Sequence, residues 1–174
     1  TKNIISGEGG LLGINDERFV NRAETIWEKG TNRASFFRGE VDKYGWVDTG
    51  SSFLPSETTA AFLFAQLENL EDIQSKRISI WNGYFKKLKP LESIVSLPKI
   101  ASYATCNAHM FYLVCNSLEE RKELIELLKR NGVHSVFHYL SLHKSPYYLK
   151  NNKERPHLFQ SDKYTDCLLR LPMY

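Results

Sequence analysis

Apolar residues recur with helical spacing most clearly after Ser56. Leu63, Leu67, Leu70, Ile73, Ile80, Tyr84 and Leu88 follow one another in three-, four- and seven-residue steps, interrupted only by Arg77. That period puts them on one face and predicts a single helix of roughly nine turns, stopped by Pro90. A helix of this length often bridges two domains. Before it, residues 30–55 hold glycine, proline and several aromatics without a period. They read as an ordered extended loop, a segment type that is uncommon unless it has a task.

The flanking stretches are shorter and more regular. Asn15 or Asp16 is a plausible N-cap for a helix reaching about Lys29, and residues 1–13 read as a glycine-rich loop. Met110 to Val114 is a short apolar run of the buried-strand kind. Ser117 and Glu120 form a capping box for a helix through about Lys129, which Asn131-Gly132 closes. Val133 to Tyr139 reads as the next strand. Residues 140–162, with Pro146 and Pro156, read as loop, and Asp162 as the cap of a last short helix ending before Pro172. The expected class is α/β.

Composition narrows the field. Hydrophobic residues make up 42% and charged residues 25%, as in globular proteins that bury a core. A net charge of +3, with acidic residues interspersed among the basic ones, gives no footprint for nucleic acid. No apolar run reaches the roughly 18–20 residues that cross a bilayer, and no leader marks export, so a cytoplasmic location is expected. Cys106, Cys115 and Cys167 are irregularly spaced and read as reduced thiols. Cys106 and His109 are followed by His134, His138 and His143, yet no further pair completes a tetrahedral set, and no metal is expected.

The most pointed chemistry sits at the start, where Lys2 precedes the stretch Gly7-Glu8-Gly9-Gly10. Lysine becomes a nucleophile when burial or a cationic neighbour frees its lone pair, and carbonyl-bearing cofactors are its usual partners. On spacing alone, a mobile solvated end explains the same residues. No phosphate-binding glycine loop, nucleophile elbow or zinc-protease motif is present.

Longer matches decide between these readings. Thr1-Lys2-Asn3-Ile4 with Gly7-Glu8-Gly9-Gly10, then Lys29-Gly30-Thr31-Asn32-Arg33, then Phe37-Arg38-Gly39-Glu40-Val41-Asp42-Lys43-Tyr44 and Asp48-Thr49-Gly50-Ser51-Ser52-Phe53-Leu54-Pro55-Ser56-Glu57 come in family order. Asn107-Ala108-His109-Met110-Phe111-Tyr112, Val136-Phe137-His138-Tyr139 and Leu168-Leu169-Arg170-Leu171-Pro172 continue it. The run resembles the sugar aminotransferases of the DegT/DnrJ/EryC1/StrS family, which depend on pyridoxal 5'-phosphate.

The resemblance implies the C-terminal portion of a fold type I transferase. Residues 1–72 would be a remnant of the cofactor-binding large domain with most of the linking helix, and 73–174 the small α/β domain. It implies a catalytic Lys2 that bonds to the cofactor and then moves a proton; related dehydratases carry histidine there. Asn32, Ser51 and Ser52 would present donors to the cofactor phosphate of a neighbouring subunit, although many relatives have asparagine in the place of Ser52. A turn capping the long helix is the structural alternative. Arg33 and Arg38 suit phosphate or substrate diphosphate, or ordinary salt bridges. His138, Tyr139 and His143 would reach the nucleotide sugar, or else serve as structural donors; relatives usually have proline where Ser141 stands.

The implied substrates are glutamate and a dTDP-keto-sugar, specifically dTDP-4-dehydro-6-deoxyglucose aminated at C4 for surface polysaccharide such as lipopolysaccharide or enterobacterial common antigen. A 3-keto-sugar and a catalytically silent dimerisation module stay open. The expected assembly is a homodimer, with Leu11, Leu12, Phe36, Phe37, Trp46 and Phe53 on an uncovered apolar side.

Overall fold

In the computed structural model, which describes residues 2–174, the chain forms two compact units. Residues 3–69 make the first and residues 70–174, with Lys2, the second.

The first unit is built from short helices and paired loops. Asp16 accepts the Arg18 amide and opens a 3-10 turn at Glu17–Phe19, which continues as helix α1, Val20–Trp27. At its end Lys29 and Gly30 both take positive φ, +65° and +80°. The Gly30 amide reaches back to the Thr25 carbonyl at 2.8 Å, the long bond of a Schellman closure. The remaining carbonyls of the last turn are satisfied from outside the helix: Ser51 N–H donates to Ile26 O and Phe53 N–H to Trp27 O.

Residues 28–32 therefore pair with 45–53, through bridges Glu28–Ser52 and Thr31–Trp46. Gly30 and Gly50 meet where the two segments cross, with no room for a side chain on either. The loop expected over 30–55 contains a helix, α2 (Arg33–Phe37), with Asn32 before it. Helix α3 (Glu57–Glu68) starts at Ser56, whose hydroxyl accepts the Thr59 amide.

The single helix predicted from the apolar stripe is two helices. α3 ends at Asn69, whose backbone leaves helical geometry (φ −104°, ψ 16°), and α4 runs Leu70–Leu88. The Asn69 side-chain amide donates to the Ala65 carbonyl at 2.8 Å, and its own N–H turns to Gln66 and Leu67. Asparagine competes with the helix backbone in this way without disturbing the spacing of apolar neighbours, so the stripe carries no mark of the break.

The second unit holds a three-stranded antiparallel sheet in the order β1 (Phe111–Val114), β3 (Leu168–Leu171), β2 (Val136–Phe137). The central strand was expected to be the tail of a helix. A buried middle strand lacks polar alternation, and Leu168-Leu169-Arg170-Leu171 shows no strand period. Phe111, Leu113, Leu169 and Leu171 form one face of the core. Trp81, Tyr84, Phe85 and Leu88 of α4 pack there, with Leu124, Ile125 and Leu128 of α5 (Leu118–Arg130). Trp81 stacks on Phe85 at 5.3 Å and meets Phe111 edge-on at 5.4 Å. Phe111 and Leu169 are fully enclosed, each worth roughly 1.5–3 kcal/mol of burial.

The cap of α5 is as expected on the serine side, since Ser117 accepts the Glu120 amide at 3.1 Å. Glu120 reaches one residue further than the usual box, to the Asn116 amide at 2.9 Å.

Residues 140–162 are not a plain loop. They hold a 3-10 turn at Leu142–Lys144, helix α6 (Pro146–Asn151) and the start of α7 (Phe159–Cys167). Asp162 is not a cap. It sits in the first turn of α7 with Lys144 Nζ at 2.9 Å and His143 Nε2 at 3.2 Å. The buried Ser141 hydroxyl joins them, 2.7 Å from Thr165 and 3.3 Å from Asp162.

Lys144 holds the Asp162 carboxyl below the ordinary carboxylate range, partly opposed by burial, with His143 and Ser141 adding to the lowering. A depressed folded-state pKa stabilises above the unfolded value of about 3.9 and is lost as pH falls through the folded value. Urea midpoints of wild type and Asp162→Asn are therefore expected to differ at neutral pH and to converge in acid. A constant difference down to the lowest pH would contradict this role.

Candidate active site

Lys2 is solvent-exposed and groups with the second unit. Its ammonium is near enough to His109 to count among the charges that lower that imidazole's pKa, after burial and alongside Arg77 and Arg170. Among the described residues Lys2 makes no ion pair with a carboxylate. An amine that must attack a carbonyl needs that freedom, because an acid partner holds it protonated.

The three candidate phosphate donors lie in the first unit, on the paired segments 28–32 and 45–53. The Asn32 side-chain oxygen accepts the Gly45 amide at 2.8 Å. With its oxygen engaged, the NH2 group is the part of Asn32 left to donate. Ser51 and Ser52 are held by backbone bonds to Ile26, Lys29 and the Glu28 bridge, while both residues face solvent. This donor set, neutral and fixed by main chain, fits a phosphate.

Lys2 fits the aldehyde of pyridoxal phosphate in the same sense, as an accessible amine without an acid partner among the described residues. The paired segments put Asn32 and the two serines at opposite ends of one platform.

The arginines differ in their engagement. Arg38 lies between Glu40 (2.6 Å) and Glu24 (2.9 Å), and both carboxylates, Glu40 foremost, raise its pKa. Its charge is already matched. Arg33 lies over the Phe37 ring at 5.1 Å, and its buried Nε has no hydrogen-bond partner.

In the second unit, His138 and Tyr139 follow β2 directly, with ring centroids 5.3 Å apart. Burial first, and Arg170 second, lower the His138 pKa. His143 does not join them. It is buried against Asp162 in the cluster described above, where its part is local structure.

Arg170 is the site residue that the sequence does not single out. It pairs with Val136 across the sheet, donates to the Phe137 carbonyl at 3.3 Å and lies over the Tyr139 ring at 5.8 Å. The available signal was a lone cation within an apolar four-residue run, since charged residues are rarely placed in a buried strand without a partner.

Burial raises the thiols of Cys115 and Cys167 above the ordinary range, so neither is a nucleophile, and all three cysteines are free. Among the described residues no helix is long and apolar enough to cross a membrane.

The chain is 25% identical over 152 residues to the dTDP-4-dehydro-2,3,6-trideoxy-D-glucose 4-aminotransferase of Saccharopolyspora spinosa, a match covering 84% of this chain and 39% of the relative. The fold is similar to the aminotransferase TlmJ from Streptoalloteichus hindustanus, with a TM-score of 0.80 at 19% identity, over 98% of this chain and 43% of that one. It is also similar to Spr1654 from Streptococcus pneumoniae in its PLP form, with a TM-score of 0.75 at 18% identity, over 92% and 40%. The chain thus spans about two fifths of the length of the proteins it matches. A model of the DegT/DnrJ/EryC1/StrS aminotransferase family matches residues 1–174 throughout, and the chain belongs to that family.

Proposed function

We propose that this chain carries the cofactor lysine and the small domain of a pyridoxal-phosphate-dependent nucleotide-sugar aminotransferase, whose other large-domain residues bind most of the cofactor. The observation that carries the reading is Lys2, an amine with no carboxylate partner among the described residues, in a chain matched end to end by an aminotransferase family. Pyridoxal phosphate, when bound, supplies the electron sink for the carbanion. Lys2 Nζ would hold the cofactor at its aldehyde and would move the proton to and from C4 of the sugar. Asn32, Ser51 and Ser52 present neutral donors to the phosphate of a second copy's cofactor, and His138 and Tyr139 contact the nucleotide sugar.

Glutamate is the proposed amino donor and dTDP-4-dehydro-6-deoxyglucose the acceptor, in a cytoplasmic step of surface-polysaccharide synthesis. The C4 position is favoured over C3 by the activity named for the Saccharopolyspora relative. Product analysis tests this. The enzyme containing this chain, given glutamate and either the 4-keto or the 3-keto dTDP-sugar, is expected to yield amine at C4 only. Amine at C3, or no transfer to either sugar, would contradict the assignment.

A second reading, an interaction module, rests on the apolar surface of the first unit. An open groove of about 1060 Å³ is lined by Leu11, Leu12, Phe19, Ile26, Trp27 and Phe53. Leu11 is 95% exposed and Trp46 83%. Surface of that kind marks an interface, and it fits the proposed homodimer equally well. Self-association in sedimentation is the expected result, and a clean monomer at high concentration would count against both readings.

A further inference from the structure

Arg170 carries a positive charge that no carboxylate among the described residues pairs with. β3 presents Leu169 and Leu171 to the core and Arg170 to the opposite face. The antiparallel register puts Arg170 opposite Val136, and two residues further along the same face comes His138. On the other edge, Tyr112 of β1 stands opposite Arg170, with His109 just before that strand.

Of the five donors of a guanidinium, Arg170 places one on the Phe137 carbonyl. Its buried Nε has no partner, and neither has the buried Nδ1 of His138. Buried polar atoms are nearly always satisfied and each orphan costs about 1–3 kcal/mol, and here two lie close together, one in β3 and one just after β2.

Several cations lie near these groups. Those acting on His109 include Lys2, Arg77 and Arg170, and the one acting on His138 is Arg170. Arg77 is anchored on the Ala108 and His109 carbonyls, which holds its charge in place beside the histidine. Arg38, by contrast, has two acids within reach. Arg170 has none among the described residues.

We propose that Arg170, flanked by His138 and His109, is an oxyanion-recognition site that receives the charged group of a substrate. The planar fork of arginine accepts a carboxylate or a phosphate through paired N–H donors, and imidazole N–H adds a directional third. The Tyr139 ring lies 5.8 Å from the guanidinium carbon, within reach of a cation–π contact. The identity of the anion rests on the aminotransferase reading, which offers two sources: the carboxylates of glutamate and the diphosphate of the nucleotide sugar.

Binding without turnover keeps the two ideas separate. The imidazole proton signals of the chain's five histidines report directly on the site. Titrating the chain at neutral pH with glutamate, a nucleoside diphosphate and inorganic phosphate is expected to shift the His109 and His138 signals saturably with at least one of them. His134 and His157 serve as internal references. The anion that saturates at the lowest concentration identifies the source.

Arg170→Gln is expected to weaken this binding about tenfold or more, Arg170→Lys to weaken it less, and the exposed control Arg130→Gln to leave it unchanged. Should Arg170→Gln fail to fold, His138→Gln tests the same site from the other strand. Shifts absent with all three anions, or undiminished in a folded Arg170→Gln, would overturn the proposal. Anion binding retained in Lys2→Ala is expected. If the enzyme containing this chain, with Lys2 intact, then showed no cofactor chemistry, the aminotransferase reading would fail while this site stood.

Discussion

Replacing Gly50 with alanine is expected to dismantle the first unit. An alanine Cβ at that position would lie 2.2 Å from the Gly30 nitrogen, 2.7 Å from the Ile26 oxygen and 2.8 Å from the Lys29 carbonyl carbon. All three are main-chain atoms at the closure of α1, so no side-chain rotation relieves the overlap. Gly30 is constrained twice over, by a Cβ that would come 1.9 Å from the Asp48 oxygen and by a φ of +80°. Overpacking typically costs 1–3 kcal/mol where neighbours can shift, and here about 3 kcal/mol or more is expected.

The functional consequence is the loss of the platform under Ser51 and Ser52. Their segment is held by Ser51 N–H on Ile26 O and Phe53 N–H on Trp27 O, bonds that lie next to the contact between the glycines. Hydrogen exchange at those two amides is the sharpest readout. Protection should collapse in Gly50→Ala and persist in Gly10→Ala, where a Cβ meets nothing within 4 Å. Wild-type protection in Gly50→Ala would show that the close approach does not hold the loop.

The second large effect is expected at Lys2. In the enzyme that contains this chain, Lys2→Ala should lower glutamate-dependent formation of pyridoxamine phosphate by at least about 10³-fold, because one residue both bonds to the cofactor and moves the proton. Lys2→Arg should do no better, since a guanidinium stays protonated and forms no such bond. The 174-residue chain alone is expected to show no turnover above solution background, for want of the groups that orient the cofactor ring. Unchanged sedimentation and exchange protection in the variants would place the loss in chemistry.

What the sequence disclosed depended on how local each signal was. The cap of α5 is written in two residues, Ser117 and Glu120, and the structure places both at the predicted end of the helix. The break at Asn69 was hidden because apolar positions on either side stay in phase, while its cause is a side chain turning back on Ala65. Strand Leu168–Leu171 was hidden for the opposite reason. A central strand covered on both sides loses its alternation, and its identity comes from partners more than thirty residues away.

The candidate site divides in the same way. Lys2, the serines and His138 stood out through motif resemblance. Arg170 emerged only when the register set it opposite Val136, two residues before His138, with no acid paired to it among the described residues. His143 shows the converse. It sits five residues after His138 in sequence, but the 3-10 turn at Leu142–Lys144 directs it to Asp162.

The central claim is that Lys2 is the residue that holds pyridoxal phosphate. Borohydride reduction of the cofactor-loaded enzyme, followed by peptide mass mapping, tests it most directly. The account predicts one saturable pyridoxyl label, on the peptide carrying Lys2, that disappears when glutamate converts the cofactor before reduction. A label spread evenly over the surface lysines, or concentrated on any lysine but Lys2, would contradict it.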